Sequence, residues 1–124
     1  MLFARTNSRS QLALLVGTAC YVFHFALCAA LFAVVHTERQ SQGEFAWMLF
    51  MKLDYPSSDL LWDHLSNTAL FTAIVEWGYL WGSGPNLRAF LIHGIFGGLQ
   101  WFLLGFVFTF LLRTLWPGPS LRAQ

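Results

Sequence analysis

Two uninterrupted apolar runs decide what this chain can fold into: Leu12 to Val35 and Leu87 to Leu112. As α-helix at 1.5 Å per residue they reach roughly 36 Å and roughly 39 Å, against a hydrocarbon core about 30 Å thick. The first contains no Asp, Glu, Lys or Arg, and the second contains only Arg88 at its edge. Hydrocarbon offers the backbone no hydrogen-bond partners, so a segment that crosses it must satisfy its own N–H and C=O groups, and a helix does so within one segment. With 56% hydrophobic and 10% charged residues, a chain of 124 residues also lacks the polar surface of a small soluble domain. A net charge of +1 with no basic cluster argues against nucleic acid. The 13 Phe and 6 Trp suit lipid contact and interfacial anchoring.

Between the two runs lies a polar loop, His36 to Glu44, followed by FAWMLFMKL, Phe45 to Leu53, too short to cross and expected as an interfacial helix lying flat. Pro56 suits the first turn of a further helix, Ser57 or Ser58 can cap it, and Asp59 and Asp63 favour its positive end. That helix is expected to run to Trp81, with Leu65 to Trp81 inside the hydrocarbon, and GSGPN, Gly82 to Asn86, ends it in a tight turn. The expectation is one all-α membrane domain of three transmembrane helices, spans 12–35, 59–81 and 87–112, with the interfacial segment 45–53 between the first and second. The alternative, in which Phe45 to Trp62 crosses as well and makes the number of spans even, places Lys52, Asp54 and Asp59 near the centre of the bilayer at roughly 2.5–3.5 kcal/mol each. Three spans are favoured unless a partner covers those charges. The first run exceeds the roughly 7–15 residues of a signal-peptide core and reads as a retained span. With an inside N-terminus, Arg5, Arg9 and Arg88 lie inside against Arg39, Lys52, Arg113 and Arg122 outside, close to a tie. A cytoplasmic N-terminus is the expectation.

Within HGIFGGLQWFLLG, Gly94, Gly98 and Gly105 fall within about 40° of one another on a helical wheel, a smooth stripe for close packing against another helix. His93 and Gln100 share a second face about 100° away, which should also point at protein. On the preceding helix His64, Thr68, Thr72 and Glu76 repeat every four residues. A hairpin turning near Gly84 puts Glu76 level with His93, so these six side chains are expected to form one polar seam: a hydrogen-bonded register device or, in the sharper reading, a proton or ion path.

Cys20, His24 and Cys28 also repeat every four residues, and His24 and His93 could ligate a haem from opposite sides. No C-x-x-C pattern accompanies them and no metal site is expected. Phosphate-cradling glycine loops, H-E-x-x-H and G-x-S-x-G are absent from the sequence. Ser57 and Ser58 near Asp59, Asp63 and His64 are better explained as helix caps than as a nucleophile with its base, and no enzymatic activity is expected.

LDYPSSDLL before a span and GGLQWFLLG in the last one resemble a pattern in small uncharacterised bacterial inner-membrane proteins, which carry a D-aromatic-P-x-S stretch and a G-G-x-Q-W-x-L-x-G stretch. The resemblance covers about eighteen residues of the second half and implies a short multi-span protein of the bacterial inner membrane, with no activity attached. The leading functional expectation is a non-enzymatic membrane subunit that packs against lipid and against other integral membrane proteins or copies of itself through Gly94, Gly98 and Gly105. The alternatives are a small oligomeric transporter or channel with a Glu76/His93 seam, and a haem- or quinone-associated redox subunit.

Overall fold

The computed structural model describes residues 2–37, 43–65, 67–82 and 84–116, and every element among them is helical. In chain order these are α1 (Leu2–Thr37), a 3₁₀ turn (Gly43–Ala46), α2 (Trp47–Leu53), α3 (Ser57–Leu65), α4 (Ala69–Leu80), α5 (Gly84–Phe90), a π-helical stretch (Leu91–Gly97) and α6 (Gly98–Leu115).

The two apolar runs form the frame. Ser10–His36 and Asn86–Leu115 are long and apolar enough to cross a membrane, and only 11% of the residues in each apolar window are buried. A core helix of a soluble protein would be mostly buried, whereas these helices turn Leu15, Phe23, Leu103, Phe108 and many like them outward. The two pack antiparallel. At one end Phe32 lies against Phe90 with ring centroids 5.1 Å apart, and at the other Gly105 approaches the Gly17 backbone. A Cβ on Gly17 would stand 2.8 Å from the carbonyl oxygen of Phe102, so only glycine lets the helices meet there.

The expected span 59–81 is not one helix. It is divided into α3 and α4, and α4, the shorter apolar helix, has 12 residues, or about 18 Å. Side chains that compete with the backbone make the division: Thr68 Oγ donates to the Leu65 carbonyl and accepts the Phe71 N–H, capping α4, while Asn67 donates to the Asp63 carbonyl. Among the described residues two helices, not three, therefore have the length to cross. The C-terminal end of α4 packs on α5 through Gly78, which faces Leu87 and the Gly84 backbone, and the turn between them uses Gly82 at φ 73°.

The segment 45–53, expected as an interfacial helix, forms one arm of a hairpin. Together α2 and α3 make a helical hairpin that runs alongside both long helices. Trp47, at its start, donates to Asn86 at 2.6 Å, and Asn86 donates to the carbonyl of Phe32 near the end of α1. The tip, Asp54, reaches His24 and Trp101, each close to the midpoint of its apolar helix. The chain then returns along α3, bringing Trp62 beside the His93 ring and beneath the Arg88 guanidinium, 4.7 Å from the ring centroid. Burial of Trp47 and Phe50 against Cys28 and Ala89, with Leu31, Phe32 and Phe90 around them, holds the hairpin in place. The surroundings of Asp54 show how one charge of this hairpin is accommodated.

Candidate functional site: a carboxylate held between two histidines

Asp54 closes α2 and opens the hairpin turn. Its N–H bonds the Phe50 carbonyl at 2.8 Å, and its own carbonyl accepts from Ser57 Oγ at 2.9 Å and from the Ser58 N–H at 3.0 Å. Ser58 Oγ donates to the Met51 carbonyl across the same turn. With the backbone fixed by these bonds, the carboxylate points between the long helices and is fully buried. One oxygen accepts from His93 Nδ1 at 2.8 Å; the other accepts from Trp101 Nε1 at 3.1 Å and lies 3.3 Å from His24 Nε2. Three N–H groups thus replace the water that a carboxylate loses on burial. Gly97 lies against this carboxylate, and a Cβ there would overlap it.

The acceptors around each imidazole fix its proton. His93 donates from Nδ1 to Asp54, so in its neutral form Nε2 is a bare lone pair; that atom is buried and has no hydrogen-bond partner. Aromatic rings surround the imidazole: Trp47 stacks on it with centroids 5.8 Å apart, and the Phe50 and Trp62 centroids lie at 6.2 and 6.3 Å. His24 Nε2 faces two acceptors, the Asp54 carboxylate and the His93 carbonyl at 3.1 Å, so it carries the hydrogen; Cys28 Sγ stands 3.5 Å away. The His93 carbonyl also accepts the Gly98 N–H, five residues on, which is the wide-turn bond that places His93, Gly94 and Gly97 on the inside.

A carboxylate bonded to one imidazole nitrogen leaves the other in the form of a base and stabilises the imidazolium that results when it takes a proton, the orienting role such a carboxylate plays in hydrolytic triads. What the arrangement can do chemically is accept and release a proton at His93 Nε2 away from bulk water. Asp54 bonds the His93 ring, and His24, with Cys28 beyond it, lies at the other carboxylate oxygen.

The sequence-selected residues divide between this centre and other places. His93 and Gln100 do point at protein: Gln100 donates to the Tyr55 carbonyl at 3.1 Å and accepts the Ser57 N–H at 3.3 Å, clamping the hairpin turn. Gly94, Gly98 and Gly105 face α1, against Phe25, Tyr21 and Cys20 respectively, so the stripe is used within the chain. His24 and His93 are brought together, but on Asp54; with His24 Nε2 3.1 Å from the His93 carbonyl there is no gap for a macrocycle between them. The seam of His64, Thr68, Thr72, Glu76, His93 and Gln100 is not continuous. His64, Thr68, Thr72 and Glu76 are exposed, Thr72 bonds the Thr68 carbonyl, and Glu76 does not bond His93, because the division at Asn67 and Thr68 takes α4 off the line that an unbroken helix would follow. Ser57 and Ser58, expected to cap α3 by accepting its first N–H groups, instead donate their hydroxyls backward, to the carbonyls of Asp54 and Met51 at the end of α2.

Sequence reading passed over Asp54, Trp101, Gly97 and the Trp47–Asn86 pair. One signal was present: the two stretches that carried the resemblance dock on each other, Asp54, Tyr55 and Ser57 of the first against Gly97, Gln100 and Trp101 of the second. No group of three or more His, Cys, Asp or Glu side chains among the described residues is arranged to hold a metal ion. Compared with known proteins, the chain matches no family, no curated protein and no solved structure.

Proposed function

We propose that this chain is a small integral membrane subunit whose working part is a proton-binding centre, His93 with Asp54, inside the bilayer. Ser10–His36 and Asn86–Leu115 each cross once, and the α2–α3 hairpin re-enters from the side that holds Asn86. One observation carries the proposal: a fully buried carboxylate that orients a fully buried imidazole and leaves its second nitrogen without a partner. Ionisable groups at such a depth are unfavourable unless paired, and they mark proton and ion pathways in membrane proteins. The glycine stripe, which would have carried a purely packing role toward other chains, faces α1 instead. Two crossings also bring the start of α1 and the end of α6 to the same side, with Arg5, Arg9 and Arg113 there against Arg88 and, in the connecting sequence, Arg39 on the other, which favours the cytoplasm for the side with three.

The test is proton flux in vesicles reconstituted with the purified protein, an internal pH dye reporting decay of an imposed gradient. Wild-type protein is expected to speed the decay at least tenfold over empty vesicles. His93→Asn keeps a side-chain N–H near the position of Nδ1 to serve Asp54 but removes the Nε2 lone pair; it is expected to retain the fold by circular dichroism and to lose the flux. Flux that persists in His93→Asn, or wild-type vesicles no leakier than empty ones, would sink the proposal.

A further inference from the structure

The hairpin carries two more charges beside its tip, and no described residue answers them. Lys52 stands two residues before Asp54 on α2 and Asp59 five residues after it on α3; both are exposed, and neither forms an ion pair with a described residue. They line one cleft of about 280 Å³ on the outer side of the hairpin with Met48, Met51 and Tyr55. This inference rests on the membrane placement proposed above, though not on the proton role. If the tip reaches the middle of the bilayer, Lys52 and Asp59 lie within a few residues of that depth on a face turned away from α1 and α6. Hydrocarbon does not tolerate that face. A lysine can extend its stem toward the interface, but an aspartate side chain is too short to do the same.

We infer that the Lys52–Asp59 face is the seat of a second copy of this chain, related by a two-fold axis that sets Lys52 of each copy against Asp59 of the other. Charge complementarity selects this occupant. A face with one cation and one anion side by side is complementary to itself under two-fold rotation, because residue i meets residue j and j meets i. A partner of unrelated sequence would need the matching pair by separate means. Met48 and Met51 supply adaptable apolar contact around the two ion pairs.

Charge reversal with mixing tests the pairing, read as the mass of the protein released from its detergent micelle in native mass spectrometry. Wild type is expected at twice the chain mass. Lys52→Asp alone and Asp59→Lys alone set like charges against each other in both contacts and are expected to shift the population at least tenfold toward single chains. Co-expressed with distinguishable tags, the two variants are expected to pair with each other, since one chain then brings two aspartates and the other two lysines, and both contacts join opposite charges. An ion pair formed within one chain predicts no such rescue, so failure of the mixture to pair overturns the inference. Wild-type single chains, or a complex containing only a different protein on this face, overturn it as well. A spin label on Leu53→Cys, in a background with Cys20 and Cys28 replaced by alanine, separates the two layers of the argument. A label in water removes the membrane placement and the pairing with it, whereas a label deep in hydrocarbon on a solitary chain removes the pairing alone.

Discussion

Asp54→Ala is expected to cost about 3–5 kcal/mol of stability, the range for removing one partner of a buried charged pair. The substitution leaves His93 Nδ1–H, Trp101 Nε1–H and one contact of His24 Nε2 without their acceptor, at a place where no solvent replaces it. It also removes the tip's bonds to His93 and Trp101, leaving the Gln100 bonds to Tyr55 and Ser57 and the cluster around Trp47 and Phe50 to hold the hairpin. Reversible unfolding followed by circular dichroism in a fixed detergent measures the loss. A change below about 1 kcal/mol, the size of an ordinary surface substitution, would mean that the three donors find other partners and that Asp54 does not hold the centre together. Asp54→Asn, which keeps one acceptor oxygen but sets an amide N–H toward one of the donors, is expected to fall between wild type and alanine.

Gly97→Ala is the second large effect, and it comes from a single methyl group. The added carbon would occupy space held by the Asp54 carboxylate, which cannot retreat because His93 and Trp101 grip it from the other side. Either the hairpin moves outward and lengthens the bond to His93, or the π-helical stretch shifts. Overpacking of this kind costs about 1–3 kcal/mol. Alanine is otherwise the better helix former by about 1 kcal/mol, so ordinary propensity predicts the opposite sign. The same unfolding assay, run beside Gly78→Ala as a second helical glycine away from the centre, decides between them. A stabilised Gly97→Ala protein would show that the carboxylate does not rest on that backbone. At Gly78 the added carbon meets the flexible end of Leu87 and comes within 3.3 Å of the Gly84 backbone, so that variant reports ordinary crowding between helices, without a carboxylate in the way.

The helical class and the two crossing-length segments were legible because hydrophobic runs of that length leave the backbone little choice, and Leu12 to Val35 and Leu87 to Leu112 sit within the helices that form. The helix break was harder to see. Leu65 to Trp81 has the composition of a span, and only the local competition of Asn67 and Thr68 side chains for backbone groups interrupts it. His93 and Gln100 could be placed on a protein-facing side from spacing alone, yet their partner was sought on the neighbouring helix at Glu76. The correct one lay about forty residues back, at Asp54 and Tyr55, in a segment judged too short and too charged to cross. Insertion costs are assigned residue by residue, and they treat a carboxylate as though it faced lipid. Three N–H donors from two other helices change that sum, and their convergence is a tertiary fact that no window along the sequence contains.

The wide turn at Leu91–Gly97 has a meaning for the length of the second long helix as well as for its site. A π turn holds a residue more than an α turn, so this helix carries slack at the one place where His93, Gly94 and Gly97 must all face inward. Fit to the thickness of a bilayer and alignment of the buried centre are separate demands on a crossing helix, and a uniform α-helix has one pitch with which to meet both. Here the flanking α5 and α6 can be matched to the membrane as rods, while the loosened turn between them sets the angle at which His93 meets Asp54.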